Sequence, residues 1–358
     1  MTNTPANLEH QHEEVFGKSF ALYGKAEMLE FIEPFRVRFE RNRLDARHFF
    51  EGRRCLDAGC GNGRGAIFMM MHGAASVDCV DISPTNIEST ARNLGIFGFN
   101  AFRTHLAGLQ ELPFPNETFD FVWCNGVIMH AADPDACLKE LARVLKTGGR
   151  SWLYVYGARG LYWWIVRRFR TILSAIEPAA VMASLELMRY PVRYIAEYMD
   201  DWKVAYLRTY SAEDLGRRLA ELGFENVTPL AYGVDYDTSQ RLHENSDERP
   251  WMGDGDLRYL LTKVREPAGE ANRLSDGPYG SDTKFASIIE ERFGRYFDDL
   301  AECVAPSPVL AVAACAAIQR NLRRIMSNPG RLDIDAIEAV VQNALKQTRR
   351  AAFPMARN

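Results

Sequence analysis

The sequence predicts an α/β fold built on a doubly wound, mostly parallel sheet of seven strands. Short apolar segments alternate with amphipathic segments from Arg54 to Gly157, and most of the apolar segments end at a glycine. Two more strand-like segments follow after an interruption and resemble an antiparallel closing pair. Strands that alternate with helices indicate a parallel sheet with right-handed crossovers.

The elements of this sheet can be assigned in order along the chain. The predicted parallel strands lie in "RRCLDAGCG", "SVDCVDIS", "AFRTHLA", "FDFVWCNGV" and "RSWLYVYG". Between them, "GAIFMMMHG", "SPTNIESTARNLGIFG" and "PDACLKELARVLKTGG" are predicted helices. The second of these helices begins with Ser83 as N-cap and Pro84 at its first position, which is a favoured combination. The closing strands are predicted in "ENVTPLAYGVDY" and "GDLRYLLTKV".

Five segments describe the organisation of the whole chain. Residues 1–50 form an N-terminal helical cap, in which apolar side chains recur at helical spacing, and residues 51–157 form the core that contains the parallel strands. Residues 158–205 are rich in aromatic residues and arginine and predict a helical insertion in the core, at the place where the family resemblance described below implies a lid. Residues 206–265 supply the closing helix and strands of the core, and residues 266–358 form a linker and a C-terminal helical extension.

Composition limits the class of protein. The 358 residues carry a formal net charge of -4, which disfavours nucleic acid as the main partner. The seven cysteines include no CxxC pair and several lie within apolar runs, so we expect small buried thiols in a reducing compartment. No apolar segment has the length of a signal peptide or a membrane span. We therefore expect a cytoplasmic protein.

The stretch "CLDAGCGNGRGA" places an acid and three alternating glycines at the end of the first strand. Glycines allow a sharp turn and let a ligand lie against bare backbone. Asp57, two residues before the first glycine, suits an ammonium or a hydroxyl and would repel a pyrophosphate. The spacing is GxGxG rather than the dinucleotide pattern GxGxxG, and GxxxxGK[ST] does not occur.

A second acid, Asp81, closes the strand "SVDCVD" beside the glycine loop. A carboxylate at this place can accept both hydroxyls of a ribose. The ligand described by these features has a ribose, a nearby cation and no phosphate. S-adenosylmethionine fits that description.

Three signatures in order identify a family resemblance. They are "LDAGCGNG" at 56–63, "LPFPNETFDFV" at 112–122 and "RVLKTGG" at 143–149. With them the chain resembles the class I S-adenosylmethionine-dependent methyltransferases, especially their small-molecule branch, whose core is Rossmann-like. The resemblance covers roughly residues 50–157, with weaker support through 206–263.

The resemblance implies roles for individual residues in binding S-adenosylmethionine. Asp57 and the loop of Gly59, Gly61 and Gly63 would hold the methionine end. Asp81 would hold the ribose and Ile82 would line the adenine.

One position departs from the family pattern. The acid that usually bonds the adenine amino group is replaced by Gly108, which leaves that contact to Leu109, Gln110 or the backbone. Asn125, just past the fourth strand, matches the position that faces the sulfonium and the substrate.

Methyl transfer from a sulfonium is an in-line displacement, in which the enzyme mainly positions the reactants and excludes water. A general base is needed only if the acceptor is protonated at working pH. His130 in "NGVIMHAADP" is the predicted base, with a structural or gating role as the alternative. Asp133, before Pro134, is predicted to cap the next helix.

The lid and the closing strands carry the aromatic residues expected to form the substrate pocket. For any one of them, ordinary core packing is the alternative. In the lid region these are Tyr156, Tyr162, Trp163, Trp164, Tyr206 and Tyr210, and at the turn between the closing strands they are Tyr232 and Tyr236, with Asp235.

Arg167, Arg168 and Arg170 allow three interpretations: a solvated face, an anion-binding patch, or a helix lying on a membrane surface. The solvated face is favoured, and peripheral membrane contact through this Arg/Trp helix stays open.

The predicted function is methylation of a metabolite or natural product at oxygen, nitrogen or sulfur. An RNA- or protein-modifying methyltransferase is one alternative, but the segment "WCNGVIMH" lacks the expected acceptor motif. A noncatalytic binding or regulatory subunit with this fold is another. The small-residue stretch "PVLAVAACAAIQRNLRRI" could cover the core or pack against a second subunit, and a homodimer is predicted.

Overall fold

A seven-stranded sheet organises the protein. The computed structural model describes residues 13–17, 24–233, 248–266, 283–328 and 331–352. The strand order is β3-β2-β1-β4-β5-β7-β6, in which β1 to β5 are parallel and β7 runs antiparallel to both β5 and β6. This confirms the predicted fold class. The strands are β1 (Arg54–Ala58), β2 (Ser76–Asp81), β3 (Phe102–Leu106), β4 (Phe119–Asn125), β5 (Leu145–Tyr156), β6 (Phe224–Glu225) and β7 (Asp256–Lys263).

Helices cover both faces of the sheet. Ser83 and Asp133 cap their helices through side-chain oxygens that accept hydrogen bonds from backbone N–H groups, as predicted. The helices are α1 (Lys25–Arg41), α2 (Ala46–Phe50), α3 (Arg64–Met71), α4 (Pro84–Ile96), α5 (Pro134–Val144), α6 (Leu161–Ile172), α7 (Pro178–Leu187), α8 (Val192–Lys203), α9 (Ala212–Glu221), α10 (Arg249–Met252), α11 (Thr283–Val304), α12 (Pro308–Met326) and α13 (Ile334–Ala352).

The first closing strand is much shorter than predicted. Of the segment 225–236, only Glu225 belongs to β6, and residues 226–233 are not in a strand. Asn226 has a φ of 58°, a left-handed conformation that interrupts extended backbone. Pro229 follows and has no N–H to donate to a neighbouring strand. Residues 234–236 lie outside the described part of the chain.

An aromatic cluster joins the N-terminal helices to one face of the sheet. Trp123 of β4 and Trp152 of β5 stack with ring centroids 4.8 Å apart and an interplanar angle of 5°. Phe39 of α1 stacks on Trp152 at 5.7 Å, and Phe35 meets Trp123 edge-on at 4.8 Å. Large apolar rings that bury their faces this way account for much of the core energy.

Helix α6, the Arg/Trp helix, packs inside the protein. Trp163 and Trp164 are each 7% exposed, and Trp164 meets Phe297 of α11 edge-on at 5.4 Å. The two tryptophans that a membrane contact would need are therefore covered by the chain itself.

The solvated face favoured for the arginines of α6 is wrong. Arg168 forms ion pairs with Glu290 and Asp298 of α11. Arg170 donates to the carbonyl oxygens of Asp201 and Val204, at 3.2 and 2.6 Å. Burial lowers the pKa of Arg170 to about 10, so the group remains charged at neutral pH. The spacing of the arginines along α6 did not show which other helices would pack against them.

The C-terminal extension forms three helices, as predicted. In α12 the small residues Ala311, Ala314 and Ala316 are buried, and α12 packs against α7 and α13. The small-residue stretch from which a homodimer was predicted is thus covered within one chain.

Cysteine burial agrees with the sequence-based expectation. All seven cysteines are free thiols and all are buried. Burial raises the pKa of each thiol for which a shift is resolved, including Cys55, Cys60 and Cys124. Among the described helices, none combines the length and apolar character needed to cross a membrane.

We predict that Phe39→Ala lowers the free energy of unfolding by about 3–5 kcal/mol, because it removes a buried ring and leaves a cavity. Leu29→Ala, on the same helix but 45% exposed, is the matched control and should change stability by less than about 0.5 kcal/mol. Urea denaturation followed by circular dichroism measures both. If Phe39→Ala and Leu29→Ala both lowered the free energy of unfolding by the same small amount, the stabilising role given to the aromatic cluster would be contradicted.

Candidate functional site

A cavity of about 160 Å³ lies at the carboxyl ends of β1, β2 and β4. We call it the loop cavity, because the loop after β1 forms one side of it. Parallel strands end at the same edge of a sheet, and ligands of open α/β folds bind at this edge. Its lining includes Gly59, Cys60, Gly61, Asn62, Asp81, Ile82, Asn86, Gly108, Leu109, Gln110, Asn125 and His130.

The glycine loop is held in one conformation from several sides. Gly59 has a φ of 76°, and a Cβ there would lie 2.5 Å from the side chain of Val127, so no other residue fits. Thr90 of α4 donates to the carbonyl of Gly61 at 2.9 Å, and Asn93 donates to the carbonyl of Asn62 at 2.9 Å. The loop therefore presents a fixed backbone surface to the cavity.

Asp81 is the central acceptor of the loop cavity. Its Oδ2 accepts from the N–H of Gly61 at 2.9 Å, and its Oδ1 accepts from the N–H of Ser83 at 2.9 Å and the side chain of Asn86 at 3.1 Å. Burial raises the pKa of Asp81, and these donors oppose the shift. A carboxylate has about four acceptor positions. The backbone N–H of Ile82 also donates to this carboxylate. Asp81 is thus surrounded by protein donors and still lines the loop cavity.

Asp57 is turned away from the cavity, contrary to the expected ligand contact. Its Oδ2 accepts from the N–H of Ala66 at 2.7 Å, at the start of α3, and its side chain is buried beneath the loop. Burial raises the pKa of Asp57 to about 7. Gly63 also lies outside the cavity lining, since it is the N-cap of α3. Both residues support the loop rather than face a ligand.

The other residues expected to contact the cofactor line the loop cavity. Ile82, Leu109 and Gln110 lie on one side, where a Cβ added to Gly108 would be 2.9 Å from Gln110 Oε1. The Gln110 amide therefore lies beside the position at which the usual acid is missing. Asn125, at the end of β4, accepts from the indole of Trp152 through Oδ1 at 2.9 Å.

A second cavity, of about 230 Å³, lies beside the first. We call it the lid cavity, because α6 and α8 of the predicted lid form much of its wall. Tyr162 and Trp163 come from α6, and Glu197 and Asp201 come from α8. The N-terminal and C-terminal helices complete it with Phe31, Phe35, Arg38, Arg323 and Met326.

The two cavities meet at a shared wall. Five described residues line both cavities: Arg64, Asn125, Tyr154, Tyr156 and Asp200. The two cavities are therefore neighbours, and the same side chains border both of them.

A buried polar network links the lid to the C-terminal extension. Tyr162 donates to Asp201 Oδ2 at 2.6 Å, and Arg323 of α12 contacts the same oxygen at 3.2 Å and Glu197 at 2.6 Å. Gln319 of α12 also donates to Asp201, at 2.5 Å. Burial raises the pKa of Asp201, an effect that Arg323 opposes.

His130 lies at the junction of the cavities and is almost fully buried. Its Nδ1 is 2.9 Å from the carbonyl oxygen of Tyr206, and its Nε2 is 3.1 Å from Asp200 Oδ1. The second contact is short, but its geometry does not satisfy a hydrogen bond. The other oxygen of Asp200 accepts from the hydroxyl of Tyr156 at 2.8 Å.

Several residues expected in the substrate pocket do not reach it. Tyr206 contributes its carbonyl to His130 and packs its ring beneath Arg208, and Tyr210 pairs through its backbone with Tyr156. Trp164 faces α11, as described above. Tyr232 hydrogen-bonds Asn42 through its backbone and lines neither cavity, and Asp235 and Tyr236 lie outside the described residues.

The sequence analysis missed Asp200, Asp201 and Arg323. Asp200 and Asp201 lie in "YMDDW", and two adjacent acids in an aromatic helix could have indicated functional residues. Arg323 lies more than a hundred residues further along the chain, and nothing in its local sequence indicates the lid.

Comparisons with known proteins identify methyltransferases similar to this chain. The family described as "Methyltransferase domain" matches residues 56–153. The ubiquinone biosynthesis O-methyltransferase of Caulobacter vibrioides is 30% identical over 252 residues, which cover 68% of this chain and 87% of that protein. The sarcosine/dimethylglycine N-methyltransferase of Aphanothece halophytica is 33% identical over 99 residues, 27% of this chain and 36% of that protein.

Coverage of the first relatives is partial. The chain matches between 36% and 52% of the length of the first four curated relatives. Among solved structures, the YcgJ protein of Bacillus subtilis aligns with a TM-score of 0.41 at 16% identity and covers 66% of this chain and 100% of that one.

We predict that Asp57→Asn removes a pH dependence of stability. The folded-state pKa of about 7 lies above the ordinary value of 3.8, so the contribution of Asp57 is fully present below about pH 4 and is lost as the pH rises through 7. Across this pH range, the free energy of unfolding of the wild type should fall by up to about 4 kcal/mol relative to that of Asp57→Asn.

Urea denaturation at several pH values checks this difference. Glu51→Gln, an exchange of an exposed carboxylate for an amide, is the control and should follow the wild type. Parallel curves for the wild type and Asp57→Asn would show that the buried carboxyl has no raised pKa.

Proposed function

Because the chain belongs to the class I S-adenosylmethionine-dependent methyltransferases, we propose that it transfers a methyl group from S-adenosylmethionine to a small-molecule acceptor. The observation that carries the proposal is the shared wall between the loop cavity and the lid cavity. A methyl donor in the first and an acceptor in the second would meet at Asn125, Tyr154 and Tyr156.

The residues of the loop cavity fit S-adenosylmethionine. Asp81 lines the cavity where its carboxylate would accept from a ribose hydroxyl, and Gly59 and Gly61 leave bare backbone for the methionine end. Ile82, Leu109 and Gln110 would line the adenine, and Asn125 would face the sulfonium. When bound, the group supplies a methyl on a positively charged sulfur, which is a good leaving group.

The lid cavity supports a small-molecule acceptor of no large net charge. Its described lining carries five carboxylates and five guanidinium groups, which balance. Tyr156, Tyr162 and Trp163 give it aromatic walls suited to an apolar or planar body. Side chains of helices α1, α6, α8 and α12 line the cavity, and its volume of about 230 Å³ favours a metabolite over a macromolecular acceptor.

This chain contributes to the reaction chiefly by positioning the methyl donor and the acceptor. The shared wall would hold the acceptor against the methyl donor. If the acceptor carries a proton, His130 of the loop cavity and Asp200 of the shared wall are the titratable groups nearest to receive it.

We predict that Asp81→Asn weakens binding of S-adenosylmethionine at least tenfold, about 1.4 kcal/mol, because the charge-assisted bond to the ribose is lost. Isothermal titration calorimetry measures the affinity, and thermal melting checks the fold. Glu88→Gln, an exposed exchange on α4, is the matched control and should bind as the wild type does. Unchanged affinity in Asp81→Asn would place the ribose elsewhere.

Transfer of a labelled methyl group tests the activity itself. The purified chain, incubated with labelled S-adenosylmethionine and a panel of small hydroxyl, amine and thiol compounds, should label at least one class, and Asp81→Asn should label it more slowly. Binding of S-adenosylmethionine by a wild type that labels no compound in a broad panel would instead favour a noncatalytic binding protein.

A further inference from the structure

Two buried amide atoms at the loop cavity form no hydrogen bond with any residue that the structure describes. They are Nδ2 of Asn62, in the glycine loop, and Oδ1 of Asn86, in the first turn of α4. Asn62 is 1% exposed and Asn86 is 3% exposed, so bulk water does not reach these atoms. Buried polar groups are normally paired, and each exception costs free energy. Because both residues line the loop cavity, a ligand bound there can supply the missing partners.

Both asparagines are anchored around the carboxylate of Asp81. Asn86 donates through Nδ2 to Asp81 Oδ1 at 3.1 Å, which leaves its own Oδ1 as an acceptor. Asn62 follows Gly61, whose N–H donates to Asp81 Oδ2 at 2.9 Å. The carbonyl oxygen of Asn62 accepts from Asn93 of α4 at 2.9 Å, so the backbone that carries this side chain is fixed. The fold therefore brings one unused donor and one unused acceptor to the region of Asp81.

The polarity of the two atoms identifies the chemical class of their partner. An amide N–H needs an acceptor, and an amide oxygen needs a donor. An ionised phosphate or carboxylate only accepts and an ammonium only donates, whereas a hydroxyl does both. A single hydroxyl can therefore satisfy both amides. A bound water has the same capacity, and ligand analogues that lack the hydroxyl distinguish the two cases.

Asp81 by itself has little capacity to hold both hydroxyls of a ribose. A carboxylate has about four acceptor positions. This one already accepts from the N–H groups of Gly61, Ile82 and Ser83 and from the side chain of Asn86. A second ribose hydroxyl therefore needs another acceptor, and Asn86 Oδ1 belongs to a side chain that already contacts Asp81.

We propose that Asn62 and Asn86 together recognise one hydroxyl of the ribose of S-adenosylmethionine, while Asp81 accepts the other. The identity of the ligand rests on the proposed function. The hydroxyl donates its hydrogen to Asn86 Oδ1 and accepts from Asn62 Nδ2. A ligand without this hydroxyl leaves two buried amide atoms unpaired, so the pair makes the site selective for a ribonucleoside over a deoxynucleoside.

Deoxy analogues of S-adenosylhomocysteine test the pair without a known acceptor. Isothermal titration calorimetry on the full chain measures the dissociation constants of S-adenosylhomocysteine and of its 2′-deoxy and 3′-deoxy forms. In the wild type, removal of the hydroxyl held by the pair should weaken binding at least about tenfold, because both amides lose their partner. If both deoxy forms bind as tightly as S-adenosylhomocysteine, a water satisfies the amides instead and the proposal is wrong.

A variant of Asn62 separates recognition of the hydroxyl from support of the loop. The readout is the ratio of the dissociation constants of the deoxy form and of S-adenosylhomocysteine. Asn62→Ala should lower this ratio at least about threefold for one of the two deoxy forms, and Asn86→Ala should lower the ratio for the same form. A merely structural loss would weaken all three ligands equally. Ratios that stay at the wild-type value in Asn62→Ala would therefore overturn the proposal.

Two further variants complete the test. Asn62→Asp keeps the size of the side chain and replaces the N–H donor by an oxygen, so it should lower the same ratio even if Asn62→Ala does not fold. Asn100→Ala, an exposed exchange between α4 and β3, is the matched control and should keep the wild-type ratios. Thermal melting checks the fold of each variant.

The outcome for the ligand itself is separate. A wild type that binds neither S-adenosylmethionine nor S-adenosylhomocysteine overturns the proposed function. A wild type that binds both ligands but does not discriminate against either deoxy form overturns only the role of the asparagine pair.

Discussion

The carboxylate of Asp81 is the constraint on which the site depends. It joins the end of β2 to the glycine loop after β1 and to the start of α4, by accepting from Gly61, Ser83 and Asn86. These donors are buried, and each would cost free energy if left without an acceptor. One side chain therefore fixes the loop, the end of β2 and the start of α4 around the loop cavity.

Asp57 and Asp81, the two acids beside the glycine loop, differ in position because their surroundings differ. Asp57 sits under the loop against the start of α3, where burial raises its pKa to about 7. Asp81 reaches the cavity and keeps several backbone donors around it. The difference follows from which N–H groups the fold brings within reach: one carboxylate lies beneath the loop and the other lines the loop cavity.

The lid cavity is built largely outside the segment that the family model matches. The matched family segment ends at residue 153, yet the lid cavity needs α6, α8 and α12. Arg323 and Gln319 of α12 satisfy Asp201 and Tyr162 of the lid, and breaking such a buried group of charges is costly. The C-terminal extension therefore sets where the lid rests, and with it the shape of the lid cavity and the position of the neighbouring Asp200.

Local sequence determined the parallel sheet, the caps at Ser83 and Asp133, the glycine loop and the acid at the end of β2, because alternation, turn chemistry and capping act over a few residues. It failed at β6, where Asn226 interrupts an otherwise strand-like segment. Only the tertiary structure decided that Asp57 points inward, that the arginines of α6 are paired, and that Asp200 meets His130. Those outcomes depend on contacts between segments that are far apart in the chain. The spacing of residues within one segment does not show which residues of another segment will contact them.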